Sequence, residues 1–205
     1  MTITNDQAEA LQRFYRWQAR IYDATRWSFL FGRQRLLHTV VNTITPRRIL
    51  EVGCGTGATL RQMAKRFPHA HLTGMDLSSD MLARARRKLA PWAARIELQQ
   101  HIYSGASAAP FDLIVFSYSL SMMNPGWENA LLAARADLSA GGVIAVVDFA
   151  DSRSALFRRW MARNHVRMDG QLLPVLHEHF NVVQSEHQRV YRGWWRYLLF
   201  IGRAK

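Results

Sequence analysis

The stretch "RRILEVGCGTGATL", residues 47–60, places three glycines within five positions directly behind a short apolar run. Glycine loses more backbone entropy on folding than any other residue, so the cluster implies that a ligand closely approaches bare backbone. "RILEVG" (48–53) predicts a buried strand, and "GATLRQMAKRF" (57–67) the helix after it. Strand, glycine loop and helix in that order aim backbone N–H groups and a helix N-terminus at one spot. "HLTGMD" (71–76) then predicts a second strand ending on Asp76. An acid there is placed to accept hydrogen bonds from ribose hydroxyls.

The same rhythm continues outward. "SSDMLARARRKL" (78–89) opens with serines suited to an N-cap and runs on in strong helix formers. "RIELQQ" (95–100) and "FDLIVFSYSL" (111–120) predict a third and a fourth strand, the latter apolar enough to be covered on both faces. "WENALLAARADL" (127–138) predicts a helix ending before Gly141 and Gly142, and "VIAVVDFA" (143–150) a fifth strand. Strands alternating with helices define a parallel α/β sheet. Beyond residue 151, two helices are expected at 152–166 and 172–180. "NVVQSEHQRVY" and "WWRYLLFIGR", joined at Arg192–Gly193, then form an antiparallel hairpin.

The glycine spacing is G-x-G-x-G, without the extra residue of dinucleotide folds or the Lys-Ser/Thr pair of a phosphate-gripping loop. "EVGCGTG" resembles motif I of the class I S-adenosylmethionine-dependent methyltransferases, and "GMDLSSDMLARAR" resembles that family's second-strand block. The resemblance implies a Rossmann-like fold with a mostly parallel seven-stranded sheet, a C-terminal antiparallel hairpin and an N-terminal helical cap. It implies S-adenosylmethionine as cofactor and S-adenosylhomocysteine as product. Gly53, Gly55 and Gly57 would line its methionine part and Asp76 would hold the ribose. Leu77 and Met81 would flank the adenine, and Glu51 would act through the loop or its bound water. Cys54 and Ser117 complete the cofactor-side candidates, with Cys54 read as small packing, not as a nucleophile. Many members carry an acid just after the third strand. Here "QQHIYSG" puts His101 and Ile102 at that place.

Composition bounds the rest. The chain has 205 residues, 49% apolar and 20% charged, which suits one globular domain. We divide it into an N-terminal cap (1–45), a cofactor core (46–150) and a C-terminal section (151–205). The N-terminus lacks a basic-then-apolar secretory pattern, and one cysteine fits a reducing cytoplasm. His177-x-His179 lacks further ligands at zinc-like spacing, so no metal is expected. The charge is uneven: residues 152–205 carry 10 Lys and Arg against 3 acids, whereas residues 46–151 carry 11 against 9. An anionic surface, lipid or nucleic acid, is the matching partner. The fourth strand runs into "SYSLSMMNPGW", unlike the Asn/Asp-Pro-Pro-aromatic motif of enzymes that methylate nucleic-acid amines, so nucleic acid is not expected.

Arg13, Arg16 and Arg20 fall on one stripe of a helix, with Phe14, Trp17 and Ile21 on another. Leu156, Phe157, Trp160 and Met161 are expected to share a face of a second helix, with Arg159, Arg163 and Arg167 on its other side. Helices of this kind suit a membrane interface; the competing reading is that their aromatic faces pack on the sheet while the arginines meet solvent. "YDATRWSFLFGR", "FSYSLSMM", "VVDFAD" and "VYRGWWRY" together resemble the bacterial betaine-lipid N-methyltransferases, which methylate diacylglyceryl-homoserine, and a related group acting on phosphatidylethanolamine. The implied partner is a lipid head group, met peripherally at the cytoplasmic membrane surface. Tyr22 is the first candidate for orienting the amine, then Tyr15 and Tyr118. Asp148 and Asp151 are candidates to attract the ammonium, or else to cap the following helix, and Arg192 to pair with a head-group carboxylate or phosphate. A soluble small-molecule or quinone methyltransferase and a non-catalytic binding module are the competing readings.

Overall fold

The fold is described from a computed structural model, covering residues 30–105 and 107–205. The candidates Tyr15 and Tyr22, and the first amphipathic helix, lie outside the described residues.

Arg48–Val52 (β1) is apolar on both sides of its pleat, and so are the strands around it. Ile49 faces one core with Leu113, Val115, Val143, Ala145, Leu199 and Ile201. Leu50 faces the other with Ile114, Phe116, Ile144, Val146, Leu198 and Phe200. Alternation of one set up and one set down demands helices on both faces. Arg33–Thr43 (α1), Ala58–Arg66 (α2), Ser79–Leu89 (α3) and Ala155–Arg163 (α5) supply the first layer. Trp127–Asp137 (α4) and Leu172–His179 (α6) supply the second.

His71–Met75 (β2), Ile96–Gln99 (β3), Phe111–Ser117 (β4), Leu138–Ser152 (β5), Phe180–Val190 (β6) and Trp195–Ala204 (β7) complete a seven-stranded sheet in the order β3-β2-β1-β4-β5-β7-β6. Strands β1 to β5 run parallel, and β7 is antiparallel to both β5 and β6. The chain therefore reverses its winding between β1 and β4, and the crevice at their carboxyl ends is where such sheets take ligands. Ser78 caps α3 by accepting from Met81 N, and Ser154 caps α5 by accepting from Phe157 N.

Two expectations change. The fifth strand begins at Leu138, earlier than its apolar run, because an irregularity in the β4–β5 register lets Leu138 pair with Phe111. The second basic helix is shorter, and its apolar residues part company: Phe157 and Met161 are buried in the core, while Leu156 (78% exposed) and Trp160 stay at the surface.

Candidate active site

The glycine loop closes on the protein itself. Gly53, Gly55 and Gly57 all have positive φ (74°, 54° and 74°). A Cβ on Gly53 would meet Ser119 Cβ at 2.5 Å, and one on Gly57 would meet Leu89 Cδ1 at 2.8 Å. At these two positions the missing side chains make room for the β4 loop and for α3, and a ligand is not needed to explain them. Gly53 N and Cys54 N both donate to Met75 O, at 2.8 and 2.9 Å, which pins the loop to the end of β2. Cys54 points into the core, and burial pushes its thiol well up, as a packing residue requires. Asp76 accepts from Gly55 N (2.8 Å) and Ser78 N (2.9 Å), so its carboxylate orders both the loop and the start of α3.

Two residues before the loop, Glu51 is fully buried at the end of β1, with Oε2 lacking a hydrogen-bond partner among the described residues. Burial pushes its pKa up to about 8, against the opposing pull of Arg33. Arg33, from α1, also donates from Nε to Ser117 Oγ at 2.8 Å, and its guanidinium lies 5.8 Å from the Tyr118 ring. Sequence reasoning missed Arg33. Eighty-four residues separate it from Ser117, so no local spacing announces the contact.

The remaining candidates are placed as follows. Leu77 and Asp76 are half-buried and Met81 is buried, all near the start of α3. His101 and Ile102 are exposed just past β3, and His101 bonds to Gln99 Oε1 and Ile102 O. Tyr118, in a left-handed conformation (φ 58°), is buried and donates its hydroxyl to Phe31 O at 2.6 Å. Asp148 is a correction. It does not sit open to an ammonium, because it is fully buried and accepts from Ser121 N and Phe149 N. Burial raises its pKa to about 6, and it ties the β4 loop to β5. Asp151 is half-buried at the end of β5, and its carboxylate is engaged by Arg196 through two hydrogen bonds. Neither acid caps α5, which Ser154 does. Arg192 is exposed in the β6–β7 turn with φ 59°.

Residues 49–142 match the family model described as a methyltransferase domain. Those residues carry a methyltransferase domain, on a Rossmann-like class I methyltransferase fold. The solved N-methyltransferase NodS from Bradyrhizobium japonicum WM9, in complex with S-adenosylhomocysteine, is similar to it at 24% identity and a TM-score of 0.70. That likeness covers 84% of this chain and 85% of that one. A second structure of NodS reaches 25% identity, a TM-score of 0.68 and 93% of its chain. A trans-aconitate 2-methyltransferase from Streptomyces avermitilis is 37% identical over 103 residues, 49% of this chain and 38% of that protein. A tRNA1(Val) (adenine(37)-N6)-methyltransferase from Vibrio cholerae is 42% identical over 66 residues, 31% of this chain and 28% of that protein. The chain thus spans between 28% and 38% of the length of these curated relatives.

S-adenosylmethionine is the donor this fold class serves, and the methyltransferase domain presents matching chemistry. The orphaned Glu51 Oε2 suits an ammonium, the Arg33 guanidinium suits a carboxylate, and the Asp76 carboxylate is the kind of acceptor a ribose diol calls for. Those are the polar parts of the donor.

Proposed function

We propose that the chain transfers methyl groups from S-adenosylmethionine to the amino head group of a membrane lipid, with diacylglyceryl-homoserine the first acceptor to try and phosphatidylethanolamine the second. The donor supplies a methyl on a sulfonium, so the protein's work is to hold it and to bring a neutral amine in line. Glu51, Arg33 and Asp76 hold the donor's polar ends. An alkylammonium has a pKa near 10, so it must shed a proton to solvent or to a neighbouring acceptor before attack.

The observation that carries the reading is the shared edge. Parallel pairing of β1, β4 and β5 puts the glycine loop and the end of β5 at the same margin of the sheet. Antiparallel pairing brings the β6–β7 turn to that margin too, with Ser152 opposite Trp195 and Trp195 opposite Val190. Exposed Leu156 and Trp194, with Arg153, Arg189 and Arg192, therefore lie along the cofactor edge. The step from β1 to β7 is about 14 Å, three strand spacings. Apolar anchors beside arginines on the edge that holds the donor suit an acceptor embedded in an anionic bilayer.

A soluble acid acceptor is the second reading, favoured by the 37% identity to the trans-aconitate enzyme. The test is to incubate the protein with labelled donor and anionic vesicles containing each candidate lipid, in parallel with soluble amines and carboxylates. Label in an aminolipid supports the proposal. Label only in a soluble acceptor, unchanged by vesicles, overturns it.

A further inference from the structure

At the end of β5, a cavity of about 150 Å³ opens between Asp151, Ser152, Arg153, Arg189, Gly193 and Arg196. Its charge is unbalanced in a way the register makes plain. Asp151 on β5 stands opposite Arg196 on β7, and Arg196 stands opposite Arg189 on β6. One carboxylate and two guanidiniums thus form a row across three strands. Like charges facing each other on neighbouring strands are unfavourable unless a counter-charge intervenes. The single carboxylate is taken by Arg196, which holds it through both Nε and Nη2. Arg189 makes no ion pair among the described residues, and neither does Arg153.

Further contacts sharpen the imbalance. Arg196, His187 and Arg158 all act to hold the Asp151 carboxyl below the usual range, and the hydrogen bond from Arg196 dominates. Arg158 donates to Ser152 O, so a fourth guanidinium borders the cavity. The wall is well tethered: Ser152 Oγ donates to Trp194 O and accepts from Ser154 N at 3.1 Å. The stem of Arg189 lies over Gly193, where a Cβ would meet its Cδ at 3.7 Å. A cavity of this size is too small for a drug-sized ligand but takes a single charged group.

We propose that this cavity is an oxyanion site, in which Arg153 and Arg189 grip a phosphate or carboxylate group while Asp151 holds Arg196 as a fixed wall. Guanidiniums recognise both groups through paired, charge-assisted hydrogen bonds. The oxyanion site stands independently of the acceptor. Its assignment to a lipid head group rests on the function proposed above, and is supported by exposed Trp194, which packs on Phe157 at 4.7 Å beside the cavity.

Inorganic phosphate titrated into the protein by calorimetry at low salt tests the site. Saturable binding in the millimolar range is expected for guanidiniums this exposed. R153A/R189A should weaken it at least tenfold without changing affinity for S-adenosylhomocysteine, and Asp151→Asn should tighten it by freeing Arg196. No saturable phosphate binding, or equal binding by the double variant, overturns the site. A second arm uses vesicles of phosphatidylcholine with and without phosphatidylglycerol. Capture by the anionic vesicles that phosphate relieves and R153A/R189A loses identifies a head group as the source. Phosphate binding without vesicle capture keeps the oxyanion site and counts against the lipid acceptor.

Discussion

On the proposed function, the charge state of the buried Glu51 governs its pairing with the donor's ammonium. Its folded pKa of about 8 lies above the 4.5 of a free glutamate, so its contribution to stability is fully present below about 4.5 and is lost as pH rises through about 8. Glu51→Gln removes that dependence. Its melting temperature should match the parent's near pH 5 and exceed it by several degrees at pH 9, as scanning calorimetry would show. In the parent at pH 7, the donor's ammonium should pull Glu51 to its charged form and release up to one proton. Titrations with S-adenosylhomocysteine in two buffers of different ionisation enthalpy would reveal that proton, and the Gln variant should not release it. Asp76→Ala deletes acceptors for two backbone N–H groups and, on the proposed function, for the donor's ribose. Its affinity for S-adenosylhomocysteine should fall by about 10- to 150-fold, the worth of roughly 1.5–3 kcal/mol for a bond to a charged group. The acid and the glycines were legible in the sequence because their spacing is local. The reason for the glycines was not. At Gly53 and Gly57 the close neighbours are Ser119 and Leu89, which the fold brings from far along the chain.

Among elements, those that bury both faces or begin with a serine were readable, since periodicity and capping are properties of a short window. That β1 to β5 run parallel followed from the alternation of strands and helices. Three features stayed hidden. Arg33 acts through packing of α1 against the sheet. Asp148 looks like an accessible strand-end acid in sequence, yet neighbouring elements bury it completely. The row Asp151–Arg196–Arg189 exists only once three strands are in register. The helix that carries the surface anchor Leu156 depends on its cap. Ser154→Ala should cost about 1 kcal/mol, lowering the melting temperature by roughly 2–4 °C for a chain of this size, with affinity for S-adenosylhomocysteine unchanged.

Across the whole molecule, positive charge is concentrated in the final quarter of the chain, with 10 basic residues against 3 acids in residues 152–205. The fold brings part of that excess to the margin where the glycine loop lies, so on the proposed function attraction to an anionic surface would also turn that margin toward it. No helix among the described residues is long and apolar enough to cross a membrane. Sedimentation with phosphatidylglycerol vesicles should weaken steeply as salt rises from 0.05 to about 0.5 M, where the screening length falls to a few ångströms. Binding indifferent to salt would mean that the arginines are not what engages the surface. The most direct measurement is the mass spectrum of lipids extracted from cells making the protein, compared with cells making Gly53→Val, whose side chain would collide with Ser119. Aminolipid head groups heavier by one or more methyls, present only with the parent protein, are the result we predict. Identical lipid profiles, with methylated soluble products in their place, would contradict it.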